Sequence, residues 1–272
     1  MKVDLHIHTT YSDGLLTPEQ VVKKAIDRNL QAIAITDHDT VDGILPAIIE
    51  AGKYEGFEVI PGIELSTYYD GQEVHILGYY IDYKDLNLKK ELLDLQQNRQ
   101  QRLEKIIYKL NNIGVLINIK DVQEKARGSS VGRPHVALAL KEKGYVTSIK
   151  EAFDKYLSKG RPAYVPRKKL TPSDAIKLIK NSDGIPVLAH PGLLENDSII
   201  HELIESGIRG IEVIHKDHTQ IHTDCYTKLA LENNLLLTGG SDSHGEEPLL
   251  LGTLNVPIEY VTKLKDKAKV KM

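Results

Sequence analysis

Short apolar runs that each end in histidine or aspartate constrain this chain more than any other feature. QAIAIT (31–36) runs into Asp37-His38-Asp39, and GIPVLA (184–189) into His190. RGIEVI (209–214) runs into His215, and LLLTGG (235–240) into Ser241-Asp242-Ser243-His244. Each run has the length and aliphatic content of a buried strand. A strand at 3–7 opens the chain and carries His6, with His8 just beyond it. Residues two apart on a strand project to the same side, so these imidazoles can share a metal ion. FEVIPGIELS (57–66), with Glu64, and EVHILGYY (73–80), with His75, read as two further strands.

Helical patterns separate most of these runs. Thr17-Pro18-Glu19-Gln20 combines an N-cap, a first-turn proline and a capping-box glutamine, and starts a helix that reaches about residue 29. Others cover 43–54, a stretch opening at Thr171-Pro172, 197–206 and 217–233. Such alternation implies a parallel sheet closed into a barrel by helices. Residues 86–165 break the pattern with a long helix at 87–112 and shorter ones at 120–127, 133–143 and 148–157. That is too long for an ordinary connection. It reads as a mainly helical insertion domain, 86–165, dividing the barrel into 1–85 and 166–272.

In a barrel of this kind the C-terminal strand ends form one face, where active sites are built. His6, His8, His38, His190, His215, Asp242 and His244 all fall at or just past such ends, and Glu64 and His75 lie within or near strands. Imidazole and carboxylate without thiolate point to zinc, manganese or iron. So many ligands exceed the needs of one tetrahedral ion and suit two or three ions sharing carboxylates.

Composition narrows the function. With 272 residues, 41% of them hydrophobic, the chain can bury a sizeable core. No apolar run approaches the roughly 20 residues of a membrane helix. Asp4 and His6 interrupt any signal-peptide pattern, and a single cysteine, Cys225, suits a reducing, cytoplasmic setting. A net charge of −3 argues against coating long nucleic acid and leaves room for a pocket that binds one or a few phosphates.

Taken together, HIHTTYSDG, ITDHDT, PGIEL, EVHILGY, AHPG and GGSDSH resemble the PHP (polymerase and histidinol phosphatase) family along essentially the whole chain. The resemblance implies a distorted (β/α)7 barrel and a metal-dependent phosphoesterase with three divalent ions, Mn2+, Fe2+ or Zn2+. It implies nine ligands: His6, His8, Asp13, His38, Glu64, His75, His190, Asp242 and His244. His6, His8, Glu64 and Asp242 would hold one ion and Asp13, His38 and His244 a second. Glu64, His75 and His190 would hold the third, with Glu64 as the bridge. Asp13 stands where some relatives have histidine. The expected chemistry is in-line attack on phosphorus by a metal-bound hydroxide, with no covalent intermediate.

His215 and His218, in EVIHKDH, are candidates to protonate the leaving oxygen or bind phosphate, whereas His201 and His222 read as helix-surface residues. VGRPH (131–135) and KGRPAYVPRKK (159–169) resemble motifs of the PHP branch that holds 3′,5′-nucleoside bisphosphate phosphatases and 5′→3′ exonucleases on short RNA. Arg133 and His135 are therefore candidates for a second-phosphate pocket, with Arg161 and Arg167 beside it and Tyr164 as a base-stacking candidate. Arginine suits that task because its fork matches two phosphate oxygens. The expected partner is a small phosphorylated nucleotide or short RNA, with neither a membrane nor long nucleic acid. Histidinol-phosphate phosphatase and a non-catalytic metal- or nucleotide-binding module are the alternatives.

Overall fold

A computed structural model describes residues 2–125, 132–166 and 170–269. The first half of the barrel runs β1 (Lys2–Asp4), α1 (Pro18–Asp27), β2 (Leu30–Ile35), α2 (Ile44–Ala51), β3 (Glu58–Tyr69) and β4 (Gln72–Tyr79). Long helix α3 (Leu86–Asn112) follows, then α4 (Ile119–Gln123), α5 (Arg133–Glu142) and α6 (Ile149–Ala152), which runs on as a π-turn over Phe153–Leu157. The second half comprises α7 (Pro172–Asn181), β5 (Ile185–Leu188), α8 (Ile199–Glu205), β6 (Gly210–His215), α9 (Gln220–Glu232), β7 (Leu236–Gly240), β8 (Val256–Pro257) and α10 (Ile258–Lys269). The capping box is present at α1: Thr17 and Gln20 exchange side-chain and backbone hydrogen bonds.

Eight strands form one nearly closed sheet in the order β7-β6-β5-β4-β3-β2-β1-β8. β1, β2 and β3 pair in parallel, as do β5, β6 and β7. The sheet departs from the all-parallel arrangement expected, because β4 is antiparallel to both β3 and β5. The cause is local. Asp70 (φ 40°) and Gly71 (φ 96°) make a two-residue turn that pairs Tyr69 with Gln72. Two positive φ angles match the twist of a tight hairpin, and a connection this short permits only antiparallel pairing.

The two ends of the chain close the barrel. Leu5 N–H donates to Gly239 O at 3.2 Å and His8 N–H to Ser243 O at 3.0 Å. Buried Asp4 accepts from Ser241 N–H at 2.9 Å and Gly252 N–H at 2.8 Å. Gly240 is required here, since a Cβ on it would lie 2.3 Å from His6 N and Cβ. Short β8 pairs antiparallel with Lys2 and Val3, and α10 packs on β1, β2, β5, β7 and β8, so it lies across an end of the barrel. Val261 and Leu264 of α10 join the apolar cluster of Val3, Leu5, Ala34, Leu77, Tyr79 and Val187. Nothing read from the sequence anticipates β8 or α10.

The chain divides into two compact units, Met1–Lys90 with Lys169–Met272, and Glu91–Lys168. The second has its own apolar core, built on Leu103, Ile106, Leu110, Val136, Leu140 and Leu157. No helix among the described residues is long and apolar enough to cross a membrane.

Replacing Asp4 by alanine leaves three backbone N–H groups, of His6, Ser241 and Gly252, without this acceptor. We expect a stability loss of about 3 kcal/mol, at roughly 1–3 kcal/mol for each unpaired buried group, read from urea unfolding.

Candidate metal centre

Seven strand-end or strand-borne histidines converge. Ring centroids are 5.2 Å apart for His6 and His8, 4.5 Å for His8 and His38, 5.1 Å for His38 and His75, and 5.2 Å for His75 and His190. His190 lies 5.2 Å from His215, and His244 stacks on His8 at 4.2 Å. His6 and His8 follow β1, His38 follows β2 and bridges to Glu64 on β3, and His75 is on β4. Glu64 pairs with Leu77, so His75, two residues from Leu77, is its diagonal neighbour on one face. His190 follows β5 with a left-handed backbone (φ 27°, ψ 59°).

Three carboxylates sit among these rings. Glu64 Oε2 is 3.3 Å from His6 Nε2, 3.2 Å from His8 Nε2 and 3.1 Å from His38 Nδ1. Its other oxygen, Oε1, is 2.9 Å from His75 Nδ1 and 3.1 Å from His190 Nε2. Asp242 Oδ1 is 3.1 Å from His8 Nε2 and 3.5 Å from His6 Nε2. Asp13 Oδ1 is 3.3 Å from His244 Nε2, and its Oδ2 is 3.8 Å from His38 Nε2. Asp13 is delivered by a loop tied to buried Asp37, which accepts from Thr9 N–H and Oγ1 at 2.7 Å and from Ser12 Oγ at 2.6 Å.

Ligand atoms within 4.8 Å of one another form four groups that could hold an ion. They are His6-His8-Glu64-Asp242, His8-Asp13-His38-His244, His38-Glu64-His75 and His6-Glu212-His215. His8 therefore faces the second group as well as the first. The residues fit divalent cations. His6 Nε2, both ring nitrogens of His8, Asp13 Oδ1 and His215 Nε2 are buried yet make no hydrogen bond. Buried polar atoms left in that state are rare and unfavourable, and here they border the same small space as the carboxylates. Nitrogen and oxygen donors without sulfur suit zinc, manganese or iron.

The electrostatics follow from crowding. Burial opposes charge on His8, but Asp242, Glu64 and Asp13 outweigh it and push the ring up to about 10. Burial instead dominates at His38, which falls to about 3 despite Glu64. Burial works against the charge of Asp242 too, yet His6, His215 and His8 hold this carboxyl well below the usual range.

The remaining sequence candidates fall in different places. His215 is fully buried. Its Nδ1 accepts from Asp217 N–H at 3.2 Å, which leaves the ring proton on Nε2, 3.5 Å from Asp242 Oδ2. His218 is engaged at both ring nitrogens: Nδ1 donates to Val213 O at 3.0 Å and Nε2 accepts from Gly192 N–H at 3.1 Å. It braces two loops. His201 is exposed and His222 caps α9. In the second unit, the Arg133 guanidinium lies over the Phe153 ring at 5.5 Å and borders a pocket with Arg99, Arg102, Leu103, Ile106 and Val136. His135 Nδ1 accepts from Gly132 N–H at 3.0 Å, Arg161 is exposed, and Tyr164 is half-buried. Arg167 lies outside the described residues.

Two site residues escaped the sequence reading. Glu212 is fully buried on β6, 3.1 Å from His6 Nδ1. An acid inside the apolar run RGIEVI is the signal that could have found it. Lys216 Nζ donates to Asp242 Oδ2 and O, both at 2.9 Å, and its sequence context carries no signal.

A mixed-sheet barrel with a histidine–carboxylate cluster able to hold several cations at the strand ends defines a metal-dependent hydrolase. The PHP domain matches residues 4–265, and the chain belongs to that family of phosphoesterases. It is 34% identical over 247 residues to the 5′-3′ exoribonuclease Rnm of Escherichia coli, covering 89% of this chain and 84% of that protein. It is equally 34% identical over 253 residues to a phosphoribosyl 1,2-cyclic phosphate 1,2-diphosphodiesterase of Eggerthella lenta, covering 89% and 94%. A 3′,5′-nucleoside bisphosphate phosphatase of Chromobacterium violaceum is 30% identical over 248 residues, covering 89% and 87%. Among solved structures, one described as a metal-dependent phosphoesterase from Bifidobacterium adolescentis superposes with a TM-score of 0.83 at 28% identity, covering 97% and 96%.

His8→Ala and Asp242→Ala should each lower metal content and abolish phosphoester turnover with the far-UV circular dichroism retained. Because His8 keeps its proton up to about 10 without metal, adding Mn2+ to metal-free protein at pH 8 should release about one proton or more, and apparent affinity should rise with pH. A pH-stat titration reads both.

Proposed function

We propose that this chain removes the 3′-phosphate of 3′,5′-bisphosphonucleotides and trims short RNA in the 5′→3′ direction by the same cleavage. Both substrates present a phosphoester on the 3′-oxygen of a nucleotide that also bears a second phosphate. Similarity to an exoribonuclease and a bisphosphate phosphatase over most of both chains is the observation that carries this reading.

In the proposed site His6, His8, Glu64 and Asp242 hold one divalent ion, Asp13, His38 and His244 a second, and Glu64, His75 and His190 a third. Bound ions supply positive charge for the phosphoryl group and make water more acidic. Asp13, Glu64 and Asp242 offset part of that charge, so a phosphate dianion is still attracted. His215, with its proton on Nε2, serves the leaving oxygen, with the His218 ring beside it at 5.3 Å. Arg133 and His135 take the second phosphate, with Arg161, Arg167 and Tyr164 assisting. The pocket that Arg133 borders with Arg99 and Arg102 supports an anion seat there.

Steady-state kinetics with Mn2+ test the substrate. Adenosine 3′,5′-bisphosphate should exceed AMP and histidinol phosphate in kcat/KM by about tenfold or more, the worth of one charge-assisted hydrogen bond. Equal rates on the bisphosphate and AMP would remove the second-phosphate reading. The relative from Eggerthella lenta makes phosphoribosyl 1,2-cyclic phosphate the chief competitor, and preferential turnover of it would replace the proposal. Arg133→Ala should raise KM for the bisphosphate about tenfold or more and leave nitrophenyl phosphate turnover unchanged.

A further inference from the structure

Glu212 occupies an unusual place. It is a fully buried acid in the middle of a strand, and β6 otherwise contributes Ile211 and Val213 to the core. Its Oε1 and Oε2 are 3.1 and 3.2 Å from His6 Nδ1, so the carboxylate straddles that nitrogen. Oε2 also accepts from His190 N–H at 2.8 Å. His6 and His190 come from opposite halves of the chain, one beyond β1 and the other beyond β5, and their rings stack at 5.8 Å. Their inner nitrogens face different oxygens of Glu64: His6 Nε2 is 3.3 Å from Oε2, and His190 Nε2 is 3.1 Å from Oε1.

We propose that Glu212 is a positioning residue for the metal centre, one carboxylate that orients both His6 and His190, which the proposed metal assignment gives to two different ions. It acts on His6 through the ring. Accepting from Nδ1–H fixes the tautomer and leaves the Nε2 lone pair, buried and without a hydrogen bond, for the cation. It acts on His190 through the backbone. A non-glycine residue at φ 27° is strained by about 1–3 kcal/mol, and the bond from its N–H to Glu212 holds the turn that aims the imidazole inward. Glu212 is not itself a ligand. Both its oxygens are turned to N–H donors, and a cation in the His6-Glu212-His215 group would have to displace those donors.

Metal affinity tests this without reference to the substrate, so its failure is distinct from failure of the bisphosphate reading. Glutamine keeps one acceptor oxygen and places an NH2 group against an N–H. Glu212→Gln in the full chain should keep its circular dichroism and weaken Mn2+ binding by about 10–100-fold, followed by the free Mn2+ electron paramagnetic resonance signal. Turnover should recover at saturating Mn2+. Unchanged Mn2+ affinity and stoichiometry would overturn the proposal. Should the variant fail to fold, wild-type protein decides. In the Zn2+-loaded chain, 15N imidazole spectra should show His6 protonated at Nδ1 and metal-bound at Nε2. A His6 Nδ1 without its proton would remove the donor that the carboxylate is proposed to hold, which overturns the proposal equally.

Discussion

The meeting of residues 4–8 with residues 239–243 is the contact on which the site depends. It joins the two halves of the chain, and the loop it closes is nearly the whole sequence. Loop entropy grows only slowly with length, so a few well-made bonds can hold such a seam. Asp4 supplies one of them, from Ser241 N–H, and adds another from Gly252 N–H just beyond, and the lack of a side chain at Gly240 lets the backbones approach. Only with the seam shut does Asp242 come within reach of His6 and His8.

A cluster built this way is at odds with itself until cations arrive. Burial penalises every charge in it, while Glu64, Asp13 and Asp242 crowd toward the same imidazoles. The protein resolves the conflict partly with protons, as at His8, and partly with Lys216 on Asp242. Divalent ions do the same task with more charge and fixed geometry. Ligation and the cohesion of the strand ends are therefore coupled, as is general for sites whose donors come from distant segments.

Much of this was legible in the sequence because its signals are local. Strand identity followed from apolar runs, and the position of each acid or histidine at a run's end followed from the order of residues. The direction of β4 was not legible as read, although Asp70-Gly71 between two strands is a hairpin signal. His215 and His218 were both candidates to protonate the leaving oxygen or bind phosphate. The chain turns after β6, however, and His218 faces Val213 O and Gly192 N–H instead. Glu212 escaped because its role exists only across strands: nothing near residue 212 in the sequence reveals that His6 and His190 lie beside it. Arg133 and His135 share the second unit's α5 with no local signal for what they hold.

Cα pairing of Tyr79 with Ile185 has a further consequence. Between those two strands the chain makes a long excursion and meets the barrel again before β5, where Leu170 bridges to Thr67 and α7 packs on β3, β4 and β5. Among the described residues, every strand pairing lies outside the second unit, Glu91–Lys168. A change of length or sequence inside that unit therefore leaves the barrel's ladder, and the strand ends that carry its histidines and carboxylates, as they are.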